Sequence, residues 1–215
     1  MKRLSIAGLC LGAIFAASTA TASAVLPEFT GPFPKTFTAT SKASLLEAVG
    51  GTKTKCTSDS AFGELTGPQN GSMTIIFTGC KVNKIPCNTP GATPGTIATN
   101  ALSMKIDYIN KAKKQVGIDL VEAAGALFLE YGCGSSVLAR VQGSVIGKIG
   151  PINKLVTPSA TFKLTFAQAL GVQKFPKLEA APIDVLETSF GGPFEQTGLA
   201  STDLILFGEP VKLVA

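Results

Sequence analysis

Clusters of glycine and proline punctuate this 215-residue chain about every dozen positions, with 23 Gly and 13 Pro in all, and the runs between them are short. That spacing leaves little room for ordinary helices and suits strands of about four to eight residues joined by turns. The runs themselves alternate. In "ATFKLTF" (160–166), Phe162, Leu164 and Phe166 share one face while Thr161, Lys163 and Thr165 share the other, the period of a half-buried strand. "KTFTATS" (35–41) alternates around Phe37 and Ala39, and "SMTIIFTGC" (72–80) follows an Asn70-Gly71 turn signal. "DLILFG" and "PVKLVA" close the chain. Only "KASLLEAVG" (42–50) and "TFAQALGVQKF" (165–175) have room for short helices, and "GVQKFPKLEAAPIDV" (171–185) reads as a long loop. The expected fold is all-β: an antiparallel β-sandwich or barrel-like domain with at most short helices.

The N-terminus separates from this pattern. Lys2 and Arg3 precede an apolar run from Leu4 to Ala17, and Ala22-Ser23-Ala24 supplies small residues before Val25. This is the layout of a secretory signal peptide, with cleavage expected between Ala24 and Val25, so that residues 1–24 leave and 25–215 form one domain. The apolar run is too short to span a bilayer, and no later stretch reaches the length of a membrane helix. Cys10 leaves with the signal, because Leu9 before it does not suit a lipoprotein box. "LPEFTG" (26–31) has one residue too many for a sortase signal. Its Phe29 and Phe33 lie in a Pro-rich arm that could cap the domain or meet a partner.

Four cysteines remain: Cys56, Cys80, Cys87 and Cys133. An even number in an exported chain predicts two disulfides. Zinc would need ligands in place of histidine, which the chain lacks entirely, and no C-x2-C spacing occurs. Three connectivities are possible. Cys80–Cys87 would close a short loop, leaving Cys56–Cys133 to tie distant strands; the other two pairings stay open.

Composition removes several function classes. The formal charge of +5 falls to +3 without Lys2 and Arg3, leaving Arg140 as the sole arginine, so a nucleic-acid partner is not expected. Without histidine there is no Ser-His-Asp or Cys-His mechanism, and neither G-x-S-x-G nor S-x-x-K occurs. "GSVIGKIG" (143–150) is one residue short of a phosphate loop and reads as a strand whose glycines admit a neighbouring group. "GCGSS" (132–136) reads as a turn holding a disulfide. Asn70-Gly71-Ser72 fits a glycosylation sequon as well as a turn.

One pair of acids stands out. "ALSMKIDYINKAKKQVGIDLVEAAG" (101–125) reads as a hairpin with Lys111, Lys113 and Lys114 at its tip. Facing Ile106 with Leu120 sets Tyr108 opposite Ile118 and Asp107 opposite Asp119. Like charges across strands are destabilising, so this register implies a carboxylate pair about 5 Å apart, suited to glycan hydrolysis or calcium. The plainer alternative is a solvated face near Lys105, or another register.

The Ala-rich leader, the "GC" ending a strand at Cys80, "IPCNTPG", and "YGCG" followed by "VQGSVIGKI" together resemble small secreted all-β proteins of actinobacterial type, to which no activity is assigned. The resemblance implies an all-β fold and an exported location, and brings no catalytic residue. The chain is therefore expected to be a secreted, disulfide-stapled, non-catalytic protein, without cofactor, serving an extracellular or cell-envelope partner. An extracellular carrier of an apolar ligand is the alternative, and a carboxylate-dependent glycan hydrolase using Asp107 and Asp119 comes third.

Overall fold

The computed structural model describes residues 26–122, 126–135 and 138–215; the expected signal peptide and its cleavage point at Ala24 and Val25 lie outside them. Eight strands form the main barrel: β1 (Lys35–Ser41), β2 (Ser58–Leu65), β3 (Asn70–Thr78), β4 (Leu102–Asn110), β5 (Gln115–Val121), β6 (Ser144–Gly150), β7 (Phe162–Phe166) and β8 (Glu195–Phe207). Each pairs antiparallel with the next in chain order. β8 closes the circle on β1 through Phe37↔Phe207 and Ala39↔Ile205. This is an up-and-down barrel, so of the two candidate architectures the chain adopts the barrel.

In a meander, alternate connections emerge at the same end. Here the β2–β3 and β4–β5 connections are short turns. Those after β1, β3, β5 and β7 are long, share the opposite end, and carry strands of their own. Ser44–Ala48 pairs with Lys53–Cys56, Lys81–Val82 with Ile85–Asn88, Leu129–Cys133 with Ala139–Gln142, and Glu187–Ser189 with the first half of β8. These four hairpins pair in turn, again in chain order, and the last returns to the first through Leu199↔Leu46. The result is a second closed ring of eight strands. β8, at 13 residues, belongs to both: its first half to the ring, Ser201–Phe207 to the barrel.

The barrel interior is packed with side chains, among them Leu65, Met73, Met104, Ile118, Phe162 and Leu164. The expected faces of "KTFTATS" and "ATFKLTF" hold, with Phe37, Ala39, Phe162, Leu164 and Phe166 buried. Gly147 sits where a Cβ would come within 2.6 Å of Leu164 and 2.9 Å of Phe166, which accounts for a glycine in this strand. At the short-turn end, Glu28–Phe29, Val211–Val214 and Leu155–Val156 form a three-stranded lid. Phe29 is buried there against Phe162 and Phe207, ring centroids 5.4 and 5.7 Å apart. Of its two possible roles, Phe29 takes that of a cap.

Three local expectations are corrected. Ser44–Ala48, in "KASLLEAVG", is a strand, because both of its edges are paired, one with β8 and the other with Lys53–Cys56. "TFAQALGVQKF" makes a tight hairpin, Gln168–Ala169 with Val172–Gln173, turning at Leu170 and Gly171, both with positive φ. The β4–β5 register is also shifted: Ile106 faces Ile118, Tyr108 faces Val116, and Asp107 faces Gly117. The inward face is the expected one, since a shift of two preserves side-chain parity.

Two disulfides form, Cys56–Cys80 and Cys87–Cys133. The Lys81–Asn88 hairpin lies between Lys53–Cys56 and Leu129–Cys133, so Cys80, just before it, and Cys87, within its second strand, each bond outward to a neighbouring strand and not to each other. All four of these cysteines are therefore in disulfides, and none of them is a free thiolate ligand. Among the described residues, no helix is long and apolar enough to cross a membrane.

Candidate functional site

Two polar constellations stand apart from the apolar core. The first lies on the outside of the second ring, where its strands alternate inward and outward. In Lys53–Cys56, Thr54 points in and donates to or accepts from the Tyr131 hydroxyl at 2.8 Å, while Lys53 and Lys55 point out. Burial pushes the Tyr131 phenol up to about 12, so the pair is neutral throughout the ordinary range. Lys55 is the direct cross-strand partner of Lys81. Lys84 joins them from a two-residue turn in which Asn83 and Lys84 both have positive φ. With Gly50, Gly51, Thr52, Thr57 and Gly79, these lysines line a surface groove of about 720 Å³.

Lys53 is partly neutralised by Glu47 at 3.0 Å. The Glu47 carboxyl is held below its ordinary value, first by the Gln168 amide and then by Lys53. Among the described residues, Lys55, Lys81 and Lys84 have no acidic side chain within ion-pair distance. The Cys56–Cys80 disulfide joins the residues immediately following Lys55 and preceding Lys81, with Cα atoms 3.9 Å apart. The staple thus holds together two strands whose neighbouring charges repel.

The second constellation is buried where the barrel meets the ring. Asp59, at the start of β2, and Asp203, in β8, are only 4% and 3% exposed and are hydrogen-bonded to each other. Ser201 Oγ lies 3.1 Å from Asp203 Oδ1, 3.4 Å from Asp59 Oδ2 and 3.0 Å from Ser41 Oγ. Burial raises both carboxyls above their ordinary range, and for Asp203 the neighbouring charge of Asp59 adds to it. Such a pair shares a proton. The groove above it is lined by Ser41, Lys42, Lys163 and Ser201 but by neither aspartate, so the shared proton is shielded from a substrate.

The acids expected to face each other do not: Asp107 is opposite Gly117, and Asp119 is its diagonal neighbour. Asp119 is paired with Lys105 and Ile146 on the outer barrel face, and Asp107 accepts a hydrogen bond from the Tyr108 amide at 2.7 Å. Asp119 lies beneath the 171–185 loop, which is tied down by Gln173 Nε2 donating to the Ser144 carbonyl and by the Glu179 amide donating to the Tyr108 carbonyl. Burial, together with Asp184 and Glu122 nearby, lifts Asp119 to about 6. Among the described residues, no group of three or more His, Cys, Asp or Glu side chains is placed to hold a metal ion.

Sequence reasoning missed Asp59 and Asp203. Both sit at inward positions of alternating strands, "SDSAFG" and "STDLILF", so polarity at core parity was the available signal. The lysine groove was missed because Lys53–Lys55 and Lys81–Lys84 meet only through ring closure.

By its pairing the chain is a double β-barrel protein, one closed barrel continued by a second closed ring. Compared with models of protein families, with curated proteins and with solved structures, it matches none.

Proposed function

We propose that this chain is an exported, non-catalytic protein that works by surface binding, in the extracellular space or the cell envelope. The observation that carries the reading is that the barrel is filled with side chains and covered at both ends, by the lid and by the second ring. Eight strands enclose just enough room for side chains or for one small ligand, and here the side chains take it. The apolar space inside the ring, beside Phe77, Phe128 and Tyr131, measures about 20 Å³, room for little more than one water molecule. An apolar ligand therefore has no prepared cavity there, which weighs against the carrier. The directly opposed carboxylate pair behind the glycan-hydrolase reading is not formed, because Asp107 faces Gly117 and Asp119 faces Lys105, which weighs against that reading. Two disulfides suit an oxidising compartment.

The test is fractionation of a producing culture, with native mass spectrometry of the recovered protein. A bare, disulfide-bonded chain starting at Val25 and sedimenting with the cell envelope is the expected result. A chain free in the medium and carrying a tightly held apolar molecule would overturn the reading in favour of the carrier.

A further inference from the structure

The lysine groove has three properties that solvated surface charge does not require. First, Lys55 and Lys81 are direct cross-strand partners. Opposed side chains on a sheet start about 5 Å apart, and like charges there are destabilising. Second, the Cys56–Cys80 bond fixes that unfavourable juxtaposition by tying the adjacent residues. Third, Lys84 occupies a turn position with φ 72°, where glycine is the relaxed choice, and adds a further charge. Lys53, two residues from Lys55 and on the same face, extends the row by about 7 Å. The molecule holds a line of cations together at some cost to its own stability.

The rest of the lining narrows the occupant. Thr52, Thr57 and Asn83 offer hydroxyl and amide groups, and Gly51 leaves open space beside them, while the Gly50 amide donates to the Glu195 carboxylate and Gly79 is covered by Thr57. Among the described residues, no aromatic ring lines the groove to stack a base, and no arginine offers a planar fork. We infer that this groove binds a segment of an acidic polysaccharide, its carboxylates against Lys55, Lys81 and Lys84 and its hydroxyls against Thr52, Thr57 and Asn83. The inference rests on the surface-binding reading above and names the site and the chemistry of its ligand.

Fluorescence anisotropy with labelled polygalacturonate at low and moderate salt tests it, with neutral dextran and long-chain inorganic polyphosphate as comparators. The folded wild-type protein should bind polygalacturonate and not dextran, with affinity falling as salt rises. The double substitution Lys55→Gln/Lys81→Gln should weaken binding at least about tenfold. Its thermal midpoint should be equal to or above wild type, because a repulsion is removed. Lys111→Gln/Lys113→Gln, with the same charge change at the far end of the barrel, should bind as wild type does. No binding of polygalacturonate, preference for polyphosphate, or equal losses in the two double variants would each overturn the assignment. If wild-type protein sediments with the envelope yet ignores polygalacturonate, this site falls while the surface-binding reading stands.

Discussion

Two carboxyls buried against each other cannot both ionise without leaving charge in a poorly solvated place, and Asp59 and Asp203 meet that constraint by holding a proton between them. Their folded-state affinity for protons exceeds that of the unfolded chain, so the native state binds more protons over the intervening pH range. Stability is then fully present below the ordinary carboxylate range and is lost as pH rises through the raised folded values. Asp119, lifted to about 6, adds a loss of the same sign. Asp203→Asn keeps the shape and removes one titration. Urea unfolding at a series of pH values should show wild-type stability declining from about pH 4 upward, at no more than about 1.4 kcal/mol per pH unit for each proton. The variant should decline less steeply. Parallel slopes would show that the pair does not hold the proton assigned to it.

Among the elements, the N-terminal arm is the one whose role turned on tertiary context. Phe29 lies in a strand of two residues, Glu28–Phe29, paired with Val214 and Leu213, and its ring fills the end of the barrel against Phe162 and Phe207. The Phe29 amide donates to the Pro68 carbonyl at 2.8 Å, which fixes the arm to the β2–β3 turn. Phe29→Ala should cost about 3–5 kcal/mol, the range for removing a buried aromatic side chain. Phe29→Leu should cost less, since it keeps most of the plug. Urea midpoints would measure both, and an unaffected alanine variant would show that the lid contributes nothing to closure.

Across the whole molecule, both disulfides belong to the second ring, whose hairpins are short and whose closure at Lys55↔Lys81 rests on a single residue pair. In the chain-entropy model, closing 24 and 46 residues contributes about 3.5 and about 4 kcal/mol. The barrel has longer strands, more ladder and no cysteine of its own bonded across it. Hydrogen exchange with and without reductant should therefore show protection falling first at 44–56, 81–88, 129–133 and 139–142. The amides of β4 to β7 should keep theirs. Uniform loss would mean that barrel and ring unfold as one unit.

Alternation along a strand is set by immediate neighbours, which is why the inward faces of β1, β4, β5 and β7 were readable from residues a few positions apart. The β4–β5 register was off by two because parity alone does not distinguish Ile106↔Leu120 from Ile106↔Ile118. The four cysteines announced two disulfides, yet their connectivity depended on which strands flank the Lys81–Asn88 hairpin. Ser44–Ala48 read as helical until β8 and Lys53–Cys56 supplied ladders on both sides. The proton-sharing pair and the lysine groove each join residues from separate strands, and no local pattern says that those strands will meet. Sequence by itself determined an all-β chain of short amphipathic strands with two staples. Only the closing of two rings decided which polar groups face each other, because closure is a global condition on all eight strands of a ring at once.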